Sequence, residues 1–242
     1  MELFKGLSTS EEIRERFDQD VERFSNLETG QSAAMDAPLA LDLVTQTALA
    51  INPHPRRILD LGCGAGNFTL RLLNACPEIE EVLLVDLSLP MLERAVERIQ
   101  QEREVRVHVL QGDLRTVPFE KQEHDVILAG AVLHHLRTDA DWTETFSRLA
   151  RATAPGGSCW IFDLVTHGHP AIQELMWQRY GDYLTELNGT IYRDKVFAYA
   201  THEDSPRSVP YQLNLLSASG FDTVELLHAN ATFAAFGGIR QR

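Results

Sequence analysis

The sequence predicts an α/β protein built on a seven-stranded mixed sheet, with an N-terminal helical cap and an inserted segment after the fifth strand. Short runs of leucine and β-branched residues alternate with helical patterns from Arg57 onward, which is typical of a parallel sheet covered by helices on both faces. A glycine-rich turn follows the first run. The last two runs are separated by only two or three residues, which indicates an antiparallel pair at the sheet edge.

Seven segments carry the predicted strands. They are, in chain order, RILDL, EVLLVD, VRVHVL, DVILAG, SCWIFDLV, DTVELLH and ATFAAFGGI. Helical patterns fill the intervals after most of the first five, including one near 139–153. The chain therefore reads as one domain, with a cap over 1–54, a core over 55–165, an inserted segment over 166–211 and a strand pair over 212–242.

Length, composition and charge exclude several classes of protein. The chain has 242 residues, of which 44% are hydrophobic, and this suits one globular domain rather than a disordered chain. No run approaches the roughly 18 apolar residues of a membrane span, and no secretory signal is visible. The formal charge of −13 disfavours a nucleic-acid partner, because an acidic field repels phosphate backbones. Three scattered cysteines predict neither disulfides nor a zinc site, and a cytoplasmic location is expected.

The cap consists of two predicted helices. The first covers 8–25, where Ser8 and Glu11 can form a capping box and apolar residues recur at helical spacing. The second covers about 37–51 and is stopped by Pro53 and Pro55.

The inserted segment contains Trp177 and all five tyrosines of the chain. Such aromatic residues can close a pocket over an apolar substrate, which would make the segment a lid. The three-residue spacing of Trp177, Tyr180 and Tyr183 fits equally well a helix face packed on the core or on a second subunit. A homodimer through this segment or through the N-terminal helices is therefore a second expectation.

The strongest motif is the loop Asp60-Leu61-Gly62-Cys63-Gly64-Ala65-Gly66, between a strand and a helix. Its glycines permit a tight turn and let a ligand approach bare backbone at the helix N-terminus. A dinucleotide fingerprint would need a glycine where Asn67 stands, and the Gly-Lys-Ser/Thr of a phosphate-binding loop is absent. Because Asp60 would repel a pyrophosphate and could accept hydrogen bonds from an ammonium group, the loop favours a cationic, phosphate-free nucleoside.

Two further acidic residues follow the next two strands. Asp86 ends EVLLVD, where its carboxylate can accept both hydroxyls of a ribose. Gly112-Asp113-Leu114 follows VRVHVL, where the carboxylate can accept an adenine amine and the leucine can cover the ring. The carboxyl ends of three neighbouring strands would thus face one crevice.

These motifs together resemble the class I S-adenosylmethionine-dependent methyltransferases, a family with a Rossmann-like fold. The loop from Asp60 to Gly66, Asp86, the Gly112–Leu114 segment, the stretch DVILAGAVLHHL and the turn Ala154-Pro155-Gly156-Gly157 match the family in order. The resemblance covers about 56–165 and the final strand pair. It implies S-adenosylmethionine as cofactor and S-adenosylhomocysteine as product. It also implies cofactor contacts from Ala129 and Gly130 near the amino-acid part, and from Leu87 and Met91 near the ribose and adenine.

A weaker resemblance links the overall layout to the carboxy-S-adenosylmethionine synthase branch. That branch holds an extra carboxylate with an arginine in the helix before the final hairpin. The corresponding stretch here, YQLNLL at 211–216, has no arginine, which favours ordinary methyl transfer. A cofactor-binding protein without catalysis is the third alternative.

Candidate catalytic residues follow the fourth strand and lie on the fifth. His134 and His135 stand near the expected position of the transferred methyl group, and a histidine can serve as a general base near neutral pH. Asp163, near the end of the fifth strand, is a third candidate, and His167 and His169 follow it. No metal-binding trio is evident from the sequence. The expected acceptor is a small molecule, neutral or cationic in view of the acidic balance.

Overall fold

The computed structural model describes residues 7–26, 31–121 and 123–241. Its seven strands form one sheet in the order β3-β2-β1-β4-β5-β7-β6. The first five strands are parallel, and β7 lies antiparallel to both β5 and β6. The predicted mixed sheet with a closing antiparallel pair is confirmed.

The bounds of the elements agree closely with the sequence patterns. The strands are β1 Arg57–Leu61, β2 Glu81–Asp86, β3 Arg106–Gln111, β4 His124–Gly130, β5 Thr153–Leu164, β6 Thr223–Asn230 and β7 Phe233–Ile239. The helices are α1 Ser10–Gln19, α2 Val21–Phe24, α3 Ala37–Ile51, α4 Asn67–Ala75, α5 Leu89–Glu102, α6 Asp139–Ala152, α7 Pro170–Glu203 and α8 Val209–Ser219.

Helices cover the sheet on both faces and bury two apolar clusters. The first cluster joins the sheet to α3, α4 and α5, and it includes Phe68, Trp160 and Phe162. The second joins the opposite face to α6 and α8, and it includes Trp142 and Phe236. These clusters hold the sheet rigid on both sides, so the carboxyl ends of β1 to β4 form a fixed edge.

The turn predicted before the fifth strand lies within β5 in the structure. β5 begins at Thr153, which pairs with His124, and the pairing register then shifts before Val126 meets Ser158. Gly156 has φ +79°, a left-handed conformation that glycine adopts at little cost. The predicted turn is thus an irregularity inside a longer strand.

The first predicted helix is divided in the structure. α1 and α2 are separated at Asp20, whose backbone departs from helical geometry. The capping box is formed by Thr9 and Glu12, one residue later than the predicted pair of Ser8 and Glu11. That correction has a simple cause, because successive hydroxyl residues at 8–10 and successive glutamates at 11–12 allow more than one register.

The inserted segment forms a helical hairpin. Non-helical backbone at Asn188 and Gly189 divides α7 into arms 170–187 and 190–203. Trp177 of the first arm stacks on Phe197 of the second, with ring centroids 4.8 Å apart. The arms therefore fold back on each other.

The tyrosines of the first arm pack on the protein. Tyr180 is 3% exposed, and its ring lies 5.3 Å from that of Phe233. The Tyr180 and Tyr183 hydroxyls donate hydrogen bonds to the carbonyls of Ala33 and Ser32. The sequence left open a lid over the pocket and a packed helix face. Tyr180 and Tyr183 lie on a packed helix face.

The outer surface of the hairpin keeps several apolar side chains in contact with solvent. Ile172, Leu175 and Ile191 are 46%, 51% and 86% exposed. The homodimer through this segment stays a prediction. No helix in the described part of the chain is long and apolar enough to cross a membrane.

Candidate functional site

The main cavity lies at the carboxyl edge of β1, β2, β3 and β4. Its empty volume is about 1090 Å³, which includes the space at its open mouth. The loops after these four strands form its floor, and Ile13, Phe17 and Phe24 of the N-terminal helices form its roof. The cavity is therefore bounded by backbone, carboxylate and apolar groups of the strand-end loops and by apolar side chains of the cap, which is in direct contact with the site.

The glycine loop after β1 presents bare backbone to this cavity. Gly62, Gly64 and Gly66 have φ values of +70°, +50° and +82°, a region that side chains disfavour. A Cβ added to Gly64 would meet no atom within 4 Å, so this position is open to a ligand. A Cβ added to Gly62 would overlap Val132. Cys63 also lines the cavity, and burial raises the pKa of its thiol.

Asp86 holds the glycine loop in place. Its Oδ2 accepts a hydrogen bond of 2.8 Å from the Gly64 backbone N–H, and its Oδ1 accepts one of 2.9 Å from Ser88. Burial raises the pKa of Asp86, against the opposing effect of these backbone donors. The described residues place no cation within ion-pair distance of Asp86. The carboxylate thus keeps free lone pairs in a desolvated wall, which suits neutral hydroxyl donors.

The structure does not bring Asp60 to the cavity. The side chain is 1% exposed, and its Oδ2 accepts a 2.7 Å hydrogen bond from the Thr69 hydroxyl of α4. Burial raises the pKa of Asp60 to about 7. The predicted contact with a ligand ammonium is therefore corrected, since Asp60 ties the strand end to the following helix.

Two other predicted cofactor residues also lie behind the cavity wall. Gly66 is the N-cap of α4, and an added Cβ there would lie 3.2 Å from the Cβ of Ala95 on α5. Ala129 is 1% exposed within β4, between Leu61 and Ile161 of the neighbouring strands. Their roles in this structure are close packing rather than ligand contact.

The remaining predicted cofactor residues line the cavity together. These are Gly62, Cys63, Gly64, Asp86, Leu87, Met91, Gly112, Asp113, Leu114 and Gly130. Gly130 is required by packing as well, because an added Cβ would overlap the ring of Phe68.

Asp113 already uses its hydrogen-bonding capacity within the protein. Its Oδ1 accepts from the backbone N–H and the Nε of Arg115, and its Oδ2 accepts from the Arg115 guanidinium and the Ser10 hydroxyl. Burial opposes ionisation, but Arg115 and Ser10 outweigh it and lower the pKa of Asp113 to about 2. A carboxylate offers about four acceptor positions. An adenine amine would therefore have to share or displace one of these bonds, which the sequence alone did not indicate.

His134 and Asp163 form a buried pair behind the cavity. Asp163 is fully buried on β5, and its carboxylate contacts both the Nδ1 and the backbone N–H of His134. Burial opposes the charged imidazole, but the Asp163 and Asp204 carboxylates outweigh it and raise the pKa of His134 to about 9. His134 is therefore a charged structural partner at neutral pH, and neither residue of the pair lines the cavity.

His135 is the one member of the predicted catalytic trio that lines the cavity. Its Nδ1 lies 3.3 Å from an oxygen of Asp204 and 3.5 Å from the carbonyl oxygen of Glu203. Its Nε2 is buried and has no hydrogen-bond partner in the described part of the chain. Asp204 was missed by the sequence reasoning, because it is far from His135 in sequence and stands in an ordinary acidic stretch.

The same cluster has the atoms of a metal site. The ligand atoms of His134, His135 and Asp204 all lie within 4.8 Å of one another. Within this cluster the Nδ1 of His134 contacts Asp163, and the Nε2 of His134 and the Nδ1 of His135 both face Asp204.

Comparisons with known proteins agree with this geometry. A family model described as a methyltransferase domain matches residues 58–157. The chain is 27% identical over 200 residues to a demethylmenaquinone methyltransferase of Lactiplantibacillus plantarum, covering 80% of this chain and 81% of that protein. It is 29% identical over 172 residues to a malonyl-[acyl-carrier protein] O-methyltransferase of Halorhodospira halophila, covering 70% and 53% of the two chains.

Residues 58–157 are thus matched as a methyltransferase domain, and the relatives support a class I S-adenosylmethionine-dependent methyltransferase. Among solved structures, human N-acetylserotonin methyltransferase in complex with SAM matches with a TM-score of 0.61 and 17% identity, covering 95% of this chain and 57% of that one. This likeness extends the shared fold beyond the matched domain. The chain spans little more than half the length of that structure and of the malonyl-[acyl-carrier protein] relative.

The residues of this methyltransferase fit S-adenosylmethionine. The open backbone at Gly64 and the desolvated Asp86 carboxylate suit the amino-acid and ribose parts of the cofactor. Leu87, Met91 and Leu114 supply apolar surface for a flat ring. When bound, this cofactor supplies a methyl group attached to a positively charged sulfur.

Replacing Asp86 with alanine is expected to weaken binding of S-adenosylhomocysteine by about 1–3 kcal/mol. The substitution removes the predicted acceptor for ribose hydroxyls and also leaves the Gly64 N–H without its partner. Isothermal titration calorimetry measures the change. Asp42→Ala is the matched control, because Asp42 forms an exposed pair with Arg71. Equal affinity of the Asp86 variant and the wild type would exclude the assignment.

Proposed function

We propose that this methyltransferase acts on a small acceptor that must lose a proton, and that His135 is the general base. The observation that carries the proposal is the pair of acceptor oxygens beside the Nδ1 of His135. Both neighbours of its Nδ1, the Asp204 carboxylate and the Glu203 carbonyl, are hydrogen-bond acceptors. A neutral imidazole with acceptors at Nδ1 keeps its proton there, so Nε2 carries the lone pair.

The buried Nε2 supports a role in proton removal. It belongs to a residue of the cavity wall and has no partner among the described residues. A buried nitrogen lone pair without a partner is costly in a structure, and a donor on the acceptor molecule would remove that cost. Asp204 then acts as a positioning residue, because it fixes which ring nitrogen of His135 carries no proton.

His134 and Asp163 support this arrangement from behind. The His134 ring lies 4.3 Å from the His135 ring, and Asp163 anchors the backbone of the turn that carries both. Of the three predicted catalytic residues, His135 is thus proposed as the catalytic one, and His134 and Asp163 as positioning residues.

The named relatives are consistent with a small acceptor. One is a demethylmenaquinone methyltransferase, and another is an O-methyltransferase by name. Methylation of a hydroxyl oxygen releases a proton, which gives a general base a function. We favour a hydroxyl acceptor for this chain, because its methylation would give His135 a proton to remove.

The test is acceptor-dependent formation of S-adenosylhomocysteine. Purified protein with S-adenosylmethionine is incubated with small phenols, enols, amines and thiols, and product is quantified by mass spectrometry. We expect product with hydroxyl acceptors and a mass increase of one methyl group on the acceptor. Binding of S-adenosylhomocysteine without turnover of any acceptor would favour the non-catalytic alternative.

A further inference from the structure

We propose that Arg137 binds the anionic oxygen of the acceptor, so that the substrate class is compounds with an acidic hydroxyl, such as phenols or enols. This inference rests on the proposed function, because it concerns the same cavity and the same acceptor. It adds a charged partner for the oxygen from which His135 removes a proton.

Arg137 stands two residues after His135 and lines the same cavity. Its Nη2 donates a hydrogen bond of 3.0 Å to the carbonyl of Ser8, which fixes the guanidinium. Its Nη1 is buried and has no hydrogen-bond partner in the described residues. One edge of a fixed guanidinium in the cavity wall therefore has hydrogen-bond donors that the described residues do not use.

Neighbouring cations of the site are neutralised by carboxylates. Arg115 pairs with Asp113, and Arg16 pairs with Glu203. Across residues 7–26, 31–121 and 123–241, no carboxylate lies within ion-pair distance of Arg137. Asp204, Glu203 and Asp113 act on it only from longer range, and burial lowers its pKa. Because arginine stays charged in proteins, a desolvated cation remains in the wall, and an anion would offset its desolvation.

The cavity thus combines a lone pair on His135 with a cation on Arg137. When a hydroxyl acceptor enters, its O–H bond breaks, the proton moves to the Nε2 of His135, and the electron pair stays on the oxygen. The guanidinium balances the negative charge left on that oxygen. A neutral amine would gain nothing from the cation, and an ammonium group would be repelled by it.

The cavity roof favours an aromatic acceptor. Phe17 and Phe24 come from the N-terminal helices, and their ring centroids lie 5.6 Å apart. The Phe17 ring also meets the His135 ring edge-on at 6.0 Å. Aromatic rings beside the base offer a packing surface for the ring of a phenol.

The probe is 4-nitrophenol, whose visible absorption distinguishes phenol from phenolate. Protein saturated with S-adenosylhomocysteine is titrated with the probe over a range of pH. We expect wild-type protein to bind the phenolate form and to lower the apparent pKa of the bound probe. Arg137→Gln should weaken phenolate binding by about 10- to 100-fold and abolish that shift. Arg137→Lys should restore part of the phenolate affinity and part of the pKa shift of the bound probe, because lysine keeps the positive charge.

Arg71→Gln is the matched control, since Arg71 lies on the surface of α4 and pairs with Asp42. Calorimetry with S-adenosylhomocysteine shows whether each variant is folded and binds cofactor. Unchanged phenolate binding in Arg137→Gln would overturn the proposal, as would loss of cofactor affinity alone, which would place Arg137 at the cofactor. Failure of the wild type to bind or ionise the probe would also overturn it, whereas the proposed function is decided separately by formation of S-adenosylhomocysteine with other acceptors.

Discussion

Replacing His135 with asparagine is expected to lower kcat by about 10²- to 10⁴-fold, the usual contribution of a general base. The affinity for S-adenosylhomocysteine should stay within about threefold of wild type, because the His135 ring supplies a proton acceptor and not a cofactor anchor. Single-turnover kinetics with a hydroxyl acceptor measures the rate, and calorimetry measures the affinity.

Asp204→Asn gives a second, independent test of the same assignment. An asparagine can turn its NH₂ group toward the Nδ1 of His135, which would then have to accept and would move the ring proton to Nε2. That tautomer cannot remove a proton from the acceptor. We expect a loss of kcat close to that of His135→Asn, and little further loss in the double variant.

The control for both variants is His54→Asn. His54 is exposed, forms a surface pair with Glu78 and is not among the residues that line the cavity. It should retain wild-type kcat. If His135→Asn also turns over at near the wild-type rate, the acceptor loses its proton without this residue, and the base assignment is wrong.

The fold was predictable because its signals are local. Strand-helix alternation and the short link between the last two runs depend on residues close in sequence, and both are confirmed. The capping box was displaced by one residue because Ser8, Thr9 and Ser10 are chemically similar caps. Local chemistry therefore fixed the existence of the helix but not its first residue.

The cavity was predictable only where strand ends define it. Asp86 and the glycine loop lie where parallel strands bring them, so their position follows from topology. Asp60 lies one residue before the end of β1, and its side chain accepts a hydrogen bond from Thr69 of α4, a contact that the strand pattern alone does not reveal. The hydrogen bond from the Ser10 hydroxyl to Asp113 joins parts of the chain that no local pattern connects.

The predicted charge of the acceptor shows the same limit of reasoning from sequence alone. The net charge of −13 led to the expectation of a neutral or cationic acceptor, whereas the unpaired Arg137 supports an anionic one. Net charge sums over the whole surface, and salt screens it beyond roughly 8–10 Å. A single desolvated guanidinium in the cavity wall acts at contact distance and decides the local preference.

The stability of the protein is expected to fall as the pH rises from 6.5 to 9, and His134 is the main cause. Its pKa is about 9 in the folded protein against 6.5 for the free side chain, because Asp163 and Asp204 stabilise the imidazolium. Between pH 6.5 and 9 the folded state binds a proton at His134 that the unfolded state does not bind. Raising the pH therefore favours the unfolded state. A shift of this size corresponds to a loss of about 3 kcal/mol in the free energy of unfolding.

Urea unfolding at several pH values measures this loss. His134→Gln removes the titrating group and should flatten the pH dependence, although it lowers stability at pH 6.5. His108→Gln is the control, because His108 is an exposed residue of β3 beside Glu81 and should leave the slope unchanged. A slope in His134→Gln as steep as that of the wild type would show that the imidazolium between Asp163 and Asp204 does not account for the alkaline instability. In that case His134 would position His135 as a neutral ring and not as an imidazolium.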